Sequence, residues 1–97
     1  MLNEDDWAAL KRRYPVGAEV PVTVDKHASF GMFVLLPDAP GVSAVIDAIS
    51  YRPDGIDVYD HSQWPAEGSR LTATVGGYRE RHQQFSLRVG PPIAKNR

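Results

Sequence analysis

The sequence contains no cysteine among its 97 residues. That excludes a disulfide staple and a thiolate zinc site, so the fold must rest on its apolar core. A reducing, cytoplasmic setting is the matching expectation. No apolar run is long enough to span a bilayer, and the acidic opening MLNEDD does not read as a secretory signal, so no membrane partner is expected. Nor is there an excess of positive charge. The net charge is -1, which argues against strong nonspecific binding to duplex nucleic acid. His27, His61 and His82 lack the close pairing of zinc ligands, and Asp54, Asp57 and Asp60 recur at every third residue, unlike the alternate ligands of a calcium loop. Glycine-rich phosphate loops, nucleophile elbows and HExxH helices are missing too. An acid–base pairing of Asp47 with His82 would need a closed, dry site, for which so small a domain has little room. No metal, no cofactor and no catalysis are expected.

What is present fits one globular domain: 42% of residues are apolar and 24% charged. The charges are unevenly spread. Residues 14–67 carry Lys26 and Arg52 against eight carboxylates. Residues 68–97 carry Arg70, Arg79, Arg81, Arg88, Lys95 and Arg97 against Glu80. If the C-terminal part forms one face, that face can meet an anion while the molecule stays near neutral.

LNEDDWAALKRRYP predicts the one long helix. Asn3 suits the N-cap, Glu4, Asp5 and Asp6 suit the positive end of the dipole, and Lys11, Arg12 and Arg13 suit the negative end. Pro15 stops it, Leu2 and Trp7 occupy hydrophobic-staple positions, and Trp7, Leu10 and Tyr14 form an apolar stripe that must dock on something. Beyond Pro15 the period becomes two. EVPVTVD places Val20, Val22 and Val24 on one face, with Pro21 marking an edge or bulge. GMFVLL and VSAVID follow, then a turn-rich connection over 51–69 with a short helical turn near Ser62–Trp64. RLTATVGG and QFSLRV close the series around a polar tip, YRERHQ. Trp64 is expected to plug a barrel end. Five strands with a long connection after the third predict a mainly β fold, a five-stranded antiparallel OB-fold barrel with an added N-terminal α-helix. A sandwich would need about seven strands. The helix is expected over 1–14, the barrel over 15–90 and a flexible tail over 91–97.

One strand breaks the alternation. In SFGMFVLLPDAPG, Met32, Val34 and Leu36 fill one face, yet Phe33 and Leu35 stand on the other. Either Trp7 and Leu10 cover them, or they form an exposed platform.

YPVGAEVPVTV leading into FGMFVLL resembles the opening of the RNA-binding domain repeated in ribosomal protein S1. AVIDAIS, PAEGSRLTATV and FSLRV resemble that family's later strands, in the family order, so the similarity spans about Tyr14 to Val89. The resemblance implies an OB barrel holding single-stranded RNA on an outer face, with both Phe30 and Phe33 in the RNA surface. Residues three apart on an ideal strand face opposite ways, so Gly31 is expected to absorb a bend that brings both rings to one side. Lys26, Arg70, Arg79, Arg81 and Arg88 are the candidates to meet phosphates. Three positions depart from the family. Asp47 stands where a histidine is common, either accepting from a base amino group or pairing with a nearby Lys or Arg. Tyr78 and His82 align with the family's aspartate and arginine, and are expected to add a stacking surface and a titratable donor. The alternative reading is a protein-interaction domain that uses the same face, with the acidic stretch 38–60 steering a basic partner.

Overall fold

Helix α1, Glu4–Arg13, is closed at both ends as its sequence dictates. The Asn3 side chain accepts a hydrogen bond from the Asp6 amide at 2.8 Å, and the Tyr14 amide donates back to the Leu10 carbonyl at 3.1 Å. The computed structural model describes residues 1–55 and 60–91. Asp57 and, beyond Pro91, the expected tail with Lys95 and Arg97 lie outside the described residues.

Five strands follow: β1 (Glu19–Ala28), β2 (Gly31–Leu35), β3 (Ser43–Tyr51), β4 (Arg70–Arg79) and β5 (Gln84–Val89). They close into a barrel in the order β1-β2-β3-β5-β4. Four of the five pairings are antiparallel, but β3 and β5 run parallel. This corrects the all-antiparallel expectation, and the reason is one of parity. Strands that alternate in direction around a closed ring must be even in number, so a ring of five contains a parallel seam. Pro21 falls where β1 is flanked by β4 alone, since pairing with β2 begins at Thr23. A residue without an N–H therefore sits beside an unpaired edge.

The interior is filled by the inward sides of all five strands: Val20, Val22 and Val24, Met32 and Val34, Ala44 and Ile46, Ala73 and Val75, Phe85 and Leu87. Trp64 is buried within the same cluster. The His61 ring stacks on it at 3.9 Å between centroids, and His27 meets its edge at 5.7 Å. Trp64 is thus a buried part of the core and not an exposed stacking surface.

The helix packs on Phe85, which is fully buried. Trp7, Tyr14 and Tyr78 all meet the Phe85 ring edge-on, with centroids 5.4, 5.7 and 5.3 Å away. Polar contacts fix the angle. Glu80 accepts from Trp7 Nε1 at 2.7 Å and from Lys11 Nζ at 2.8 Å. The Gln83 side-chain amide both donates to and accepts from the backbone of Leu2, at 2.7 and 2.8 Å. The lysine and indole bonds hold the Glu80 carboxyl below its ordinary range. A lowered carboxylate pKa stabilises the fold above the ordinary range, and that contribution is lost as pH falls through the lowered value. Acid titration followed by near-ultraviolet circular dichroism should therefore show a small step, a loosening of the Glu80 contacts to α1, below the ordinary glutamate range. Glu80→Gln should abolish the step. An unchanged acid profile in that variant would assign the step to another carboxylate.

Candidate nucleic-acid interface

Two one-residue bulges decide which side chains reach the outer face. In β1, Val24 pairs with Val34, but Lys26 pairs with Phe33, leaving Asp25 as the extra residue. The phase flips there, so Lys26 stands opposite Phe33 on the outside and His27 opposite the core residue Met32. In β4, Val75 pairs with Leu87 and Gly77 with Ser86, leaving Gly76 as the extra residue. Tyr78 is thereby turned to the side of Phe85.

Phe30 and Phe33 lie together outside the barrel, with ring centroids 5.5 Å apart and planes at 86°. Phe30 is 51% exposed and Phe33 half-buried. The bend differs in detail from the expected strand kink. Phe30 occupies the tight turn between Ala28 and Gly31, and its carbonyl accepts from the Ala48 amide at 2.8 Å. Gly31 is needed because β2 presses onto β3 at this point. A Cβ there would overlap the Ile46 carbonyl oxygen and come within 2.8 Å of Asp47 Cα.

The Trp7 ring does not roof the platform. The ring contacts of Trp7 are with Tyr78 and Phe85, at the helix-bearing end of the barrel. Leu35 and Phe33 instead border an open groove of about 360 Å³, completed by Asp25, Lys26, Val42 and Ser43. A second groove of about 470 Å³ begins across the Gly41–Ser43 segment, bordered by Met1, Leu2, His82 and Gln83. Sequence reasoning missed both, because each joins the β2–β3 loop to residues distant in sequence, and no motif marks that loop.

The other candidates separate. Tyr78 does not offer the stacking surface expected of it: its hydroxyl donates to the carbonyls of Tyr14 at 2.7 Å and Lys11 at 3.2 Å, and its ring rests on Trp7 and Phe85. The Gly76 bulge is the physical cause. Asp47 takes the pairing option, with Arg79 Nη2 at 2.8 Å from its Oδ2. Arg79 also donates to Gln84 Oε1 at 2.7 Å. Arg88 is half-buried and donates to the Gly90 carbonyl at 2.7 Å. Arg70 is exposed opposite Thr23 of β1, and Arg81 and His82 are exposed on the short turn 80–82. Lys26 remains beside the rings, with no ion pair among the described residues.

No model of a protein family matches the sequence, and no curated protein is similar to it. Solved structures are. The chain is similar to one in the a/eIF2alpha-aDim2p-rRNA complex from Pyrococcus horikoshii OT3, with TM-score 0.66 and 27% identity over 78% of this chain and 45% of that one. It is similar to the intact alpha subunit of aIF2 from Pyrococcus abyssi, with TM-score 0.65 and 27% identity over 78% of this chain and 29% of that one. GSP13 from Bacillus subtilis shares the fold with TM-score 0.63 and 20% identity, over 87% of this chain and 65% of that one. The present chain thus spans less than half the length of the two Pyrococcus proteins. The S1-type OB resemblance read from the ordered motifs is shown by this barrel and these neighbours together.

Proposed function

We propose that the chain is a non-catalytic binding module for single-stranded RNA. Phe30 and Phe33 stack successive bases, and Lys26 meets a backbone phosphate. The observation that carries this reading is the edge-to-face ring pair held outside the barrel, 5.5 Å apart, beside an open groove lined by Lys26, which has no ion pair among the described residues. A ring offers every base a π-face, worth about 1–3 kcal/mol per base without a hydrogen-bond code. With Arg79 engaged by Asp47, phosphate neutralisation is small. One contact on a single strand gives a slope of log affinity against log salt of about -0.7. A single module of this kind binds weakly, and several copies or a larger assembly would supply avidity.

Fluorescence anisotropy with short labelled oligoribonucleotides tests the proposal. Binding should be measurable at about 50 mM salt and weaken modestly at about 200 mM. Phe33→Ala should weaken it by about tenfold or more. If the wild-type protein fails to bind at low salt, the face belongs to a protein partner instead.

A further inference from the structure

Arg79 lies on β4 and Asp47 on β3, and β5 runs between them. Arg79 is level with Gln84 and Ser43, so its ion pair crosses β5 diagonally, past Ser86, to reach Asp47. Val45 points away from the core, between the inward Ala44 and Ile46, yet it has no exposed surface. Phe33 stands opposite it on β2. Gln84 extends the brace by accepting from Arg79 at 2.7 Å and donating to Ser43 Oγ at 2.8 Å.

We infer that Asp47 is the specificity-determining residue of this face: its carboxylate occupies Arg79 and so selects unpaired bases over phosphate-dense ligands. The inference rests on the RNA-binding reading. Asp47 and Arg79 are 28% and 45% exposed, so an incoming anion can reach them. A phosphate that takes the guanidinium must open the pair, then sit beside an unpaired carboxylate that repels it. A base edge meets no such penalty, because its amino group donates to the carboxylate without disturbing the charge balance. Single strands with accessible bases therefore dock, and polyphosphate-like anions do not.

The test compares wild type with Asp47→Asn, Arg79→Gln and the double variant, using two probes: an oligoribonucleotide and inorganic polyphosphate. Asp47→Asn keeps an acceptor for Arg79 but removes the charge. It should bind the oligoribonucleotide roughly fivefold tighter, the factor a partly exposed ion pair is worth. Its salt slope should steepen by about 0.7, and polyphosphate should bind where it does not bind wild type. Arg79→Gln should weaken RNA binding by leaving Asp47 unpaired, and the double variant should return close to wild type. If wild type binds RNA while Asp47→Asn changes neither affinity, slope nor polyphosphate binding, the inference is overturned and the RNA reading stands. If no protein binds RNA, the RNA reading falls, and polyphosphate still judges Asp47: binding by Asp47→Asn alone supports its role, and binding by neither protein ends it.

Discussion

Gly31→Ala is expected to destabilise the barrel by about 3 kcal/mol or more, since the added methyl group meets backbone and not a yielding side chain. The methyl would overlap the Ile46 carbonyl oxygen and crowd Asp47 Cα at 2.8 Å and the Ala48 amide nitrogen at 3.0 Å. These atoms belong to β3 where it pairs with β2, so relief means prising two central strands apart. The backbone at Gly31 also has φ of +156°, which side chains rarely adopt. The damage reaches the site at once. Phe30 precedes the glycine in the turn, and its carbonyl holds the Ala48 amide. Chemical denaturation should show the loss, and RNA affinity should fall with it. Gly77→Ala is the control: nothing lies within 4 Å of its added Cβ, so stability should change little. Equal stability losses in the two variants would refute the strand-contact explanation.

Phe85→Ala is expected to be at least as severe, about 3–5 kcal/mol, the usual cost of deleting a buried phenyl ring. A domain of this size is stable by roughly 5–15 kcal/mol, so much of that margin disappears. The ring is fully buried, and three others meet it edge-on: Trp7 and Tyr14 from the helix end of the chain, Tyr78 from β4. Removing it takes away the floor on which α1 rests. A helix of 10 residues is too short to persist alone in water, so it should melt as it leaves. Far-ultraviolet circular dichroism should lose helical signal at temperatures where the barrel still folds. Phe85→Leu, which refills part of the volume, should keep most of that signal. A Phe85→Ala protein with full helical signal would show that Glu80, Gln83 and Tyr78 hold α1 without the ring.

Much of this was legible along the chain, because local chemistry decided it. Asn3, the acidic first turn and the basic last turn each act within one turn of α1, and the alternating valines of β1 report the core directly. Phe33 was traceable because an apolar residue on a wet face stands out against alternation, whereas Phe30 came into view only through the S1 resemblance. What escaped was phase. Asp25 and Gly76 each add one residue to a strand, and a single insertion reverses every later side chain. The β4 bulge turned Tyr78 from a surface candidate into a helix anchor. Gly76 and Gly77 are the one hint, since glycine within a strand often marks a bulge; Asp25 gives none. The Asp47–Arg79 pair escaped in a different way: it joins residues 32 apart in sequence, and strand order alone brings them together. Pairing of Asp47 with some cation was readable, but the choice of Arg79 depended on β5 lying between β3 and β4.

The parallel seam has a consequence for a chain cut short. In the closed order Gln84–Val89 joins β3 to β4, so without it the four earlier strands would have two unpaired margins, β3 on one side and β4 on the other. Such margins invite pairing with neighbouring chains. The barrel closes through β5, the last of these five strands in chain order. Fragments that stop short of it should clump in solution, however complete their earlier parts.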